Sequence, residues 1–227
     1  MKKFLTSLFC LTLLAGAMSA AGLSRKTVVE RLDSCEAILQ DLQGNVRTAI
    51  PADVLHRAKA IVIVNQFQAS FIFGIKDGYA TALVRRPNGK WSVPAFFRAG
   101  ELSIGLQVGG KSINAVYVIM DDPTTRLLLK NRMNLGAEAK AVAGIRTAES
   151  DTTASKLRSQ ANVLVYSSSE GLFVGAAVKT GYLSPHEEAN QLFYNSTNRM
   201  PELLFSDWVT PPEEARFLMN YVTRLTQ

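Results

Sequence analysis

Short segments rich in β-branched and aromatic residues fill the chain between residues 60 and 120. Several alternate apolar with polar or small residues, and Gly, Pro, Asn and Asp separate them, which is the pattern of β-strands. The connections are too short for crossover helices, so neighbouring strands are expected to run antiparallel. The segments, about six in number, are AIVIVNQF, SFIFGIK, GYATALVRR, KWSVPAFF, ELSIGLQV and INAVYVIM.

A helical pattern precedes these strands. Residues Thr27–Glu30 form a capping box, which predicts a helix that ends near Leu42, before Gly44 and Asn45. A second, short helix is expected from Pro51 to Lys59, because proline is favoured in the first turn.

Helical and extended patterns alternate in the second half of the chain. Together with the first half, they predict an α+β fold of one domain. Its core is a curled antiparallel β-sheet, sandwich-like or barrel-like, flanked by N-terminal, middle and C-terminal helices. The predicted elements are a helical region at 124–144 broken near Gly136, strands at 162–168 and 171–179, and helices at 186–195 and 211–225.

The connection Pro87–Gly89 is the clearest turn in the chain. Asn-Gly is a strong hairpin signal, because both turn positions tolerate a positive φ. If the Asn-Gly pair is a two-residue loop, Arg86 faces Trp91 across the hairpin and Pro87 faces Lys90. We therefore expect the guanidinium group of Arg86 to lie beside the indole.

The stretch GLQVGGKS, residues 105–112, has the spacing of a phosphate-binding loop. Such a loop must be followed by a helix whose N-terminus points at the phosphate. Residues 113–120 have the composition of a strand, and residues 102–108 alternate as a strand does. Lys111 and Ser112 are therefore predicted to form a turn of a hairpin, and nucleotide binding is not expected.

Residues 1–20 have the organisation of a secretory signal peptide, with two lysines, an apolar run from Phe4 to Leu14 and a tail of small residues. The run is shorter than the ~20 residues of a transmembrane helix. Lipid attachment would need a cysteine after Leu14–Gly16, where Ala17 stands. We expect residues 21–227 to form one exported domain, periplasmic or extracellular, that is not a lipoprotein.

Positive charge is concentrated in the strand-rich region. Residues 59–111 contain seven Lys or Arg against two Asp or Glu, whereas the whole chain has 25 against 19. This asymmetry favours an anionic partner, and outside the cytoplasm a membrane surface is favoured over nucleic acid. An ordinary solvated surface is the alternative.

Residue types that carry catalysis are scarce. The two histidines, His56 and His186, have no neighbouring ligand pattern, and paired carboxylates stand at predicted helix starts, where they favour the helix dipole. We expect no enzymatic activity, no metal and no cofactor. Cys35, the one cysteine left after cleavage, lies on an apolar helical stripe, so a buried side chain is favoured over a reactive thiol.

Several motifs occur in an order that resembles the SYLF domain family, over about residues 28–205. The resemblance implies phospholipid binding, with phosphoinositides as ligands of eukaryotic members and actin binding in some fungal ones. Many bacterial members look like lipoproteins, and this chain departs from them at Ala17. The motifs are PADVLHRAKAIVIV, FIFGIKDGYATALVRRPNGKWSVPAFF, SIGLQVGGKS, VYVIM, LGAEAKAVAG and VYSSSEGLFVGAAV, followed by Asn190 and Tyr194.

The resemblance implies a ligand that fits an exported protein. Phosphoinositides are rare in bacterial envelopes, so anionic glycerophospholipids such as phosphatidylglycerol or cardiolipin are the expected equivalents. Actin is not an expected partner, because it is absent from that compartment.

The predicted lipid site lies around the Asn-Gly hairpin, where basic residues adjoin Trp91. A basic rim with an aromatic wedge suits the interface between phosphate headgroups and acyl chains. The alternative is that Trp91 and Phe96 belong to the core. A second candidate is the start of the mature chain, where basic residues accompany an apolar helix face. The full candidate set is Arg85, Arg86, Lys90, Trp91, Arg98, Lys111, Arg25 and Lys26.

The sequence thus predicts a non-enzymatic exported domain that binds anionic phospholipid at a membrane surface through basic and aromatic residues. The alternative function is a structural or protein-interaction component of the bacterial cell envelope without lipid specificity.

Overall fold

The computed structural model describes residues 22–69, 75–102, 111–134, 141–143, 161–167 and 181–227. The predicted signal peptide and the predicted strand at 171–179 lie outside these residues. Six α-helices occur in the described part, and two short 3-10 turns, Leu127–Leu129 and Glu213–Ala215, accompany them. The helices are α1 (Arg25–Gly44), α2 (Ala52–Arg57), α3 (Asp122–Arg126), α4 (Glu187–Tyr194), α5 (Met200–Phe205) and α6 (Arg216–Leu225).

Eight strands form a single sheet, and they are β1 (Ala60–Ala69), β2 (Ile75–Val84), β3 (Ala95–Leu102), β4 (Lys111–Ile119), β5 (Met133–Asn134), β6 (Ala141–Ala143), β7 (Val163–Ser167) and β8 (Gly181–Pro185). Their order across the sheet is β5-β8-β3-β2-β1-β4-β7-β6. Pairing is antiparallel at every step except between β6 and β7. The predicted α+β fold with a curled antiparallel sheet is confirmed.

The predicted capping box at Thr27–Glu30 is wrong, because helix α1 begins at Arg25, three residues earlier than such a box implies. Ser24 is its N-cap, because the Ser24 hydroxyl oxygen accepts a hydrogen bond from the backbone N–H of Thr27 at 3.2 Å. The buried side chains recur every three or four residues, so one face of the helix packs on the sheet. They are Val28, Leu32, Cys35, Ile38, Leu39 and Leu42.

Both faces of the central strands are buried. In β1, Ala60, Val62 and Val64 contact one core cluster, which also contains side chains of α5. Ile61 and Ile63 point to the opposite face and contact a second cluster, which includes the apolar faces of α1 and α6. The sheet is therefore the middle layer of the described part of the molecule.

The prediction of a helical region at 124–144 holds only as far as Leu129 and is wrong at residues 133–134 and 141–143. Helix α3 and the following 3-10 turn end at Leu129, and the chain then supplies two short edge strands. Strand β5 pairs with β8, and β6 pairs with β7. Pairing at the two sheet edges overrides the high helix propensity of the alanine-rich sequence.

The predicted turn at Lys111 and Ser112 is also wrong. Both residues belong to β4, where they pair with Gln68 and Phe67 of β1. Strand β4 does not return beside β3. It pairs with β1 on the side opposite β2, and its other neighbour is β7. The strand predicted after Ser112 is confirmed, and it occupies the place where a phosphate-binding loop needs a helix.

Candidate functional site

The hairpin between β2 and β3 has a three-residue loop, Pro87–Gly89. The backbone N–H of Gly89 donates to the carbonyl oxygen of Arg86 at 2.9 Å, and Arg86 N–H donates to the carbonyl of Lys90 at 2.9 Å. Gly89 has a φ of 80°, as the final residue of a turn followed by a bulge requires. The connection Pro87–Gly89 is thus the whole loop, and the condition of a two-residue Asn-Gly loop is not met.

This loop shifts the predicted cross-strand pairs by one residue. Arg85 faces Trp91, and Arg86 faces Lys90 instead. Proline fixes its φ near −65°, which suits the first turn position, so the left-handed position falls on Gly89 alone. The predicted contact between a guanidinium group and the indole exists, but the guanidinium belongs to Arg85, whose Cζ lies 5.0 Å from the ring centroid.

Arg85 ties the hairpin to two helix ends. Its Nη1 donates to the carbonyl oxygen of His56 at 2.9 Å, at the end of α2. Its Nη2 donates to the carbonyl oxygen of Thr226 at 3.2 Å, just after α6. Helix ends expose unpaired carbonyl groups, so a cation is stabilising there. Both terminal nitrogens of Arg85 are thus engaged inside the protein, whereas its Nε is buried with no hydrogen-bond partner among the described residues.

Trp91 and Phe96 belong to the core, as the alternative in the sequence analysis states. Trp91 is 7% exposed, and its Nε1–H donates to the Thr226 hydroxyl at 2.9 Å. Phe96 is buried and meets the ring of Phe193 edge-on at 4.9 Å between centroids. Neither ring is available as a wedge for a membrane.

Arg86 points into a pocket on one side of the hairpin. It is 9% exposed, and its Nε is buried with no hydrogen-bond partner among the described residues. Burial lowers the pKa of Arg86, and the nearby carboxylate of Asp207 opposes this effect. We call this space of about 340 Å³ the hairpin pocket, and its lining residues are Lys59, Val84, Arg85, Arg86, Pro87, Gly89, Asp122, Thr125, Arg126 and Phe205.

Lys90 lies on the other side of the hairpin, where it is exposed. It borders a second open space of about 530 Å³, which we call the tip groove. No acidic side chain lines this groove in the described part of the chain. Its lining residues are Arg85, Asn88, Gly89, Lys90, Trp91, Met219, Asn220, Thr223, Thr226 and Gln227.

The structure places Arg25 and Lys26 away from the hairpin. Arg25 forms an ion pair of 2.8 Å with Glu214, and the hydrogen bond that Arg25 donates to this carboxylate raises the pKa of Arg25. Lys26 has a side chain 87% exposed, 3.8 Å from Glu30. Glu214 precedes α6 and Thr226 follows it, so the ten residues of α6, about 15 Å of helix, separate the two predicted sites.

The last two predicted residues are also separate from the hairpin tip. Arg98 is exposed in the middle of β3, where it pairs with Tyr79 of β2 and Ser184 of β8. Lys111 begins β4, and its side chain lies outside the described part of the structure. Of the eight predicted residues, the structure thus brings together Arg85, Arg86, Lys90 and Trp91.

Three residues at or near the hairpin pocket were not found by sequence analysis. Lys59 and Arg126 are distant from Arg86 in sequence, and only the fold brings them to one pocket. Trp208 is 60% exposed and follows Asp207, whose carboxylate acts on Arg86. A tryptophan in a short polar connection could have been noticed, because its amphipathic ring suits a membrane interface.

Neither a metal centre nor a membrane-spanning helix is found where the structure is described. No group of three or more His, Cys, Asp or Glu residues lies close enough to hold a metal ion in the described ranges. Within the same ranges, no helix has the length and apolar character needed to cross a bilayer.

The fold and the basic hairpin define a binding domain, and comparison with known proteins gives its family. Residues 100–225 match the family model Ysc84, described as Las17-binding protein actin regulator. The chain belongs to this family, which confirms the resemblance to the SYLF family. The family is one of binding proteins.

Relatives in animals and yeast are similar to most of the chain. SH3 domain-containing YSC84-like protein 1 of Bos taurus is 30% identical over 181 residues, or 78% of this chain and 52% of the relative. The Homo sapiens protein of that name is 30% identical over 182 residues. LAS seventeen-binding protein 3 of Saccharomyces cerevisiae is 30% identical over 166 residues, covering 72% of this chain and 36% of the relative. The chain spans about half the length of the animal relatives, and about a third of the yeast one.

Proposed function

We propose that this chain is a non-enzymatic domain that binds anionic phospholipid at a membrane surface through the tip of the β2–β3 hairpin. One observation carries the proposal, which is the charge around the two spaces beside that tip. Their lining contains one acidic side chain, Asp122, against five basic ones, namely Lys59, Arg85, Arg86, Lys90 and Arg126.

The strength of such an interaction follows from the cations that remain available. Arg85 is engaged with helix carbonyls, which leaves Arg86, Lys90 and Arg126, with Lys59 shared with Asp122 at 3.7 Å. Each basic residue near an anionic surface contributes about 1 kcal/mol, and the attraction decays within about 8 Å at physiological salt. Three available cations give a binding free energy of about 3 kcal/mol, so binding should weaken as salt rises.

An exposed aromatic ring next to Asp207 in sequence supports a membrane partner. Trp208 follows Asp207 in sequence, and the carboxylate of Asp207 acts on Arg86, so this connection runs near the pocket. A tryptophan ring is stable at the level of lipid headgroups, where its apolar body and N–H are both accommodated. Trp208 thus fills the role that the sequence analysis gave to Trp91.

The test is co-sedimentation with vesicles that contain phosphatidylglycerol. Changing both Lys90 and Arg126 to Glu should weaken binding about thirtyfold or more, because about 2 kcal/mol is lost and repulsion is added. The charge-matched control changes Lys26 and Arg98 to Glu, and its affinity should fall less than about threefold. All four side chains are exposed, so circular dichroism should show folded protein in each case.

Two outcomes would contradict this proposal. An equal loss in both double variants would show an effect of net charge without a hairpin contact. If the unchanged protein ignores anionic and neutral vesicles alike, lipid binding fails, and a protein-interaction role becomes the better function, in keeping with the Las17-binding description of the family.

We also propose that the domain acts outside the cytoplasm. The support is the organisation of residues 1–20, with lysines, a short apolar run and small residues before the expected cleavage near Ala20. A peripheral contact with an anionic leaflet is then the way in which the mature chain meets a membrane.

A further inference from the structure

The hairpin pocket holds a buried cation without a matching anion. The guanidinium group of Arg86 is in ion-pair contact with no carboxylate in the described part of the chain, and Asp207 acts on it only at longer range. The Nε–H of Arg86 has lost water without gaining a hydrogen-bond partner, and such a loss is unfavourable for a charged group. A ligand of opposite charge would remove this cost.

Two further cations reach the same pocket from other elements. Arg126, at the end of α3, is exposed, and its Cζ lies 5.8 Å from the ring centroid of Phe205. Lys59, just before β1, has a half-exposed side chain with Nζ 3.7 Å from a carboxylate oxygen of Asp122. The volume of about 340 Å³ lies at the low end of the ~300–1,000 Å³ of small-molecule pockets.

We propose that the hairpin pocket binds a phosphate group, held by the guanidinium groups of Arg86 and Arg126 and the ammonium group of Lys59. A guanidinium group offers parallel N–H donors that match two phosphate oxygens, so it selects phosphate over a simple halide ion. The phosphate belongs either to a small phosphate ester or to a phospholipid headgroup. In the second case the inference rests on the proposed function and adds the subsite that receives the headgroup.

The first experiment follows thermal unfolding in sodium phosphate and in sodium chloride at equal ionic strength. Phosphate at about 20 mM should raise the Tm by roughly 2–6 °C, because a ligand that binds only the folded state stabilises it. Phosphate also strengthens folding without binding, by exclusion from the protein surface. The increase must therefore be compared with that of a variant without the site.

Arg86→Met is that variant, because it keeps the apolar stem and removes the guanidinium group. Without phosphate its Tm should be unchanged or higher, since a buried unpaired charge is gone. Its affinity for phosphate should fall about tenfold to a hundredfold, the effect of losing charge-assisted hydrogen bonds. If Arg86→Met fails to fold, Arg126→Gln replaces it as the test, because Arg126 is exposed. We expect its affinity for phosphate to fall about tenfold.

A change of opposite sign completes the set. Asp122→Asn removes the carboxylate that competes with phosphate for Lys59. The phosphate affinity of this variant should therefore increase severalfold. A variant that was merely destabilised would not gain affinity. Lys26→Gln is the control, since Lys26 is exposed on α1 away from the hairpin, and it should leave the phosphate effect intact. Equal Tm in phosphate and chloride for the unchanged protein, or a full phosphate effect in Arg86→Met, would overturn the site.

Vesicle binding and competition by glycerol phosphate distinguish a phospholipid headgroup from a small phosphate ester as the ligand. If the site receives a headgroup, Arg86→Met weakens vesicle binding, and glycerol phosphate competes with vesicles. If glycerol phosphate binds with dependence on Arg86 while vesicle binding is absent, the site stands as one for a small phosphate ester and the proposed membrane function fails. Vesicle binding that is unaffected by Arg86→Met, in a protein without a phosphate effect, removes this inference and leaves the membrane function.

Discussion

At the scale of single residues, Cys35 shows how far a local pattern can be interpreted. Its place on an apolar helical stripe predicts a buried side chain, and the structure confirms that it is completely buried. The sulfur lies 3.7 Å from the carbonyl oxygen of Ile63 on β1. Burial raises the pKa of the thiol from 9.0 to about 12, so the neutral form is strongly favoured in the folded protein.

This pKa gives a prediction for alkaline stability. The unfolded thiol loses its proton above about pH 9 and the folded one does not, so its contribution is complete below pH 9 and decreases as pH rises toward 12. Between pH 8 and pH 10.5 the protein should lose about 2 kcal/mol more unfolding free energy than Cys35→Ala. Urea unfolding at the two pH values measures this difference, in which other titrating groups cancel. Parallel losses in both proteins would contradict it.

The hairpin marks the limit of residue-scale prediction. The sequence correctly predicts that an arginine lies against Trp91, but it assigns the contact to Arg86 instead of Arg85. The error is one residue of loop length, and it decides which side chain enters the pocket. Asn-Gly alone does not distinguish the two loops, whereas the preceding proline, which suits a turn ahead of Gly89, favours the longer one.

At the scale of elements, Asn190 connects α4 to β3. Its side-chain oxygen accepts from the Phe96 backbone N–H at 2.9 Å, and its Nδ2 donates to the Phe96 carbonyl oxygen at 3.1 Å. Nearby, the Tyr194 hydroxyl donates to the carbonyl oxygen of Pro94. The two residues that ended the family motifs in sequence therefore attach one helix to the strand that leads out of the hairpin.

Removing the Asn190 amide should have a large effect on stability. Asn190→Ala leaves the backbone N–H of Phe96 buried and unpaired, so we expect a loss of about 3 kcal/mol. Thermal unfolding should show this as a decrease in Tm of roughly 6–12 °C. Gln191→Ala, on the exposed side of the same helix, is the control and should change the Tm by less than about 2 °C. Similar decreases in both variants would show that the amide bonds are unimportant.

Element prediction succeeds where local pattern and tertiary structure agree. Helices α1 and α6 and the central strands have strong apolar periodicity, and the structure has them close to the predicted positions. The helix prediction fails at residues 133–134 and 141–143 because the sequence favours a helix locally, whereas β8 and β7 offer edges with which these residues pair. No local pattern reports the presence of a distant edge.

At the scale of the whole molecule, the candidate site is assembled from parts that the sequence keeps apart. Lys59 precedes β1, Arg86 belongs to the hairpin and Arg126 ends α3. Charge counts over residues 59–111 include the first two and exclude the third. The basic character of the region was thus predictable, but the pocket depends on the order of strands in the sheet and was not.

The proposed export makes a prediction about the mature chain. When the full sequence is expressed in a bacterial host, we expect the product outside the cytoplasm to begin near residue 21 and to carry no acyl group. Intact mass spectrometry measures both features at once. A product that retains Lys2 and Lys3, or one heavier by a diacylglyceryl group, would contradict the proposed processing.

The sheet that is buried on both faces has a consequence for how its strands find their alignment. In most sheets with one solvated face, a slip of one residue exposes apolar side chains, and this penalty fixes the register. Over residues 60–64 of β1 both faces are apolar, and they differ mainly in size, with Ala60, Val62 and Val64 on one side and Ile61 and Ile63 on the other. Side-chain volume and turn length must then determine the alignment. The loop Pro87–Gly89 therefore helps to set the pairing of β2 with β3 next to the hairpin, where Ala82 pairs with Ala95 and Thr81 with Phe96. A residue inserted there would displace these pairs, and the exposed charge of Arg98 further along β3 would oppose the slip.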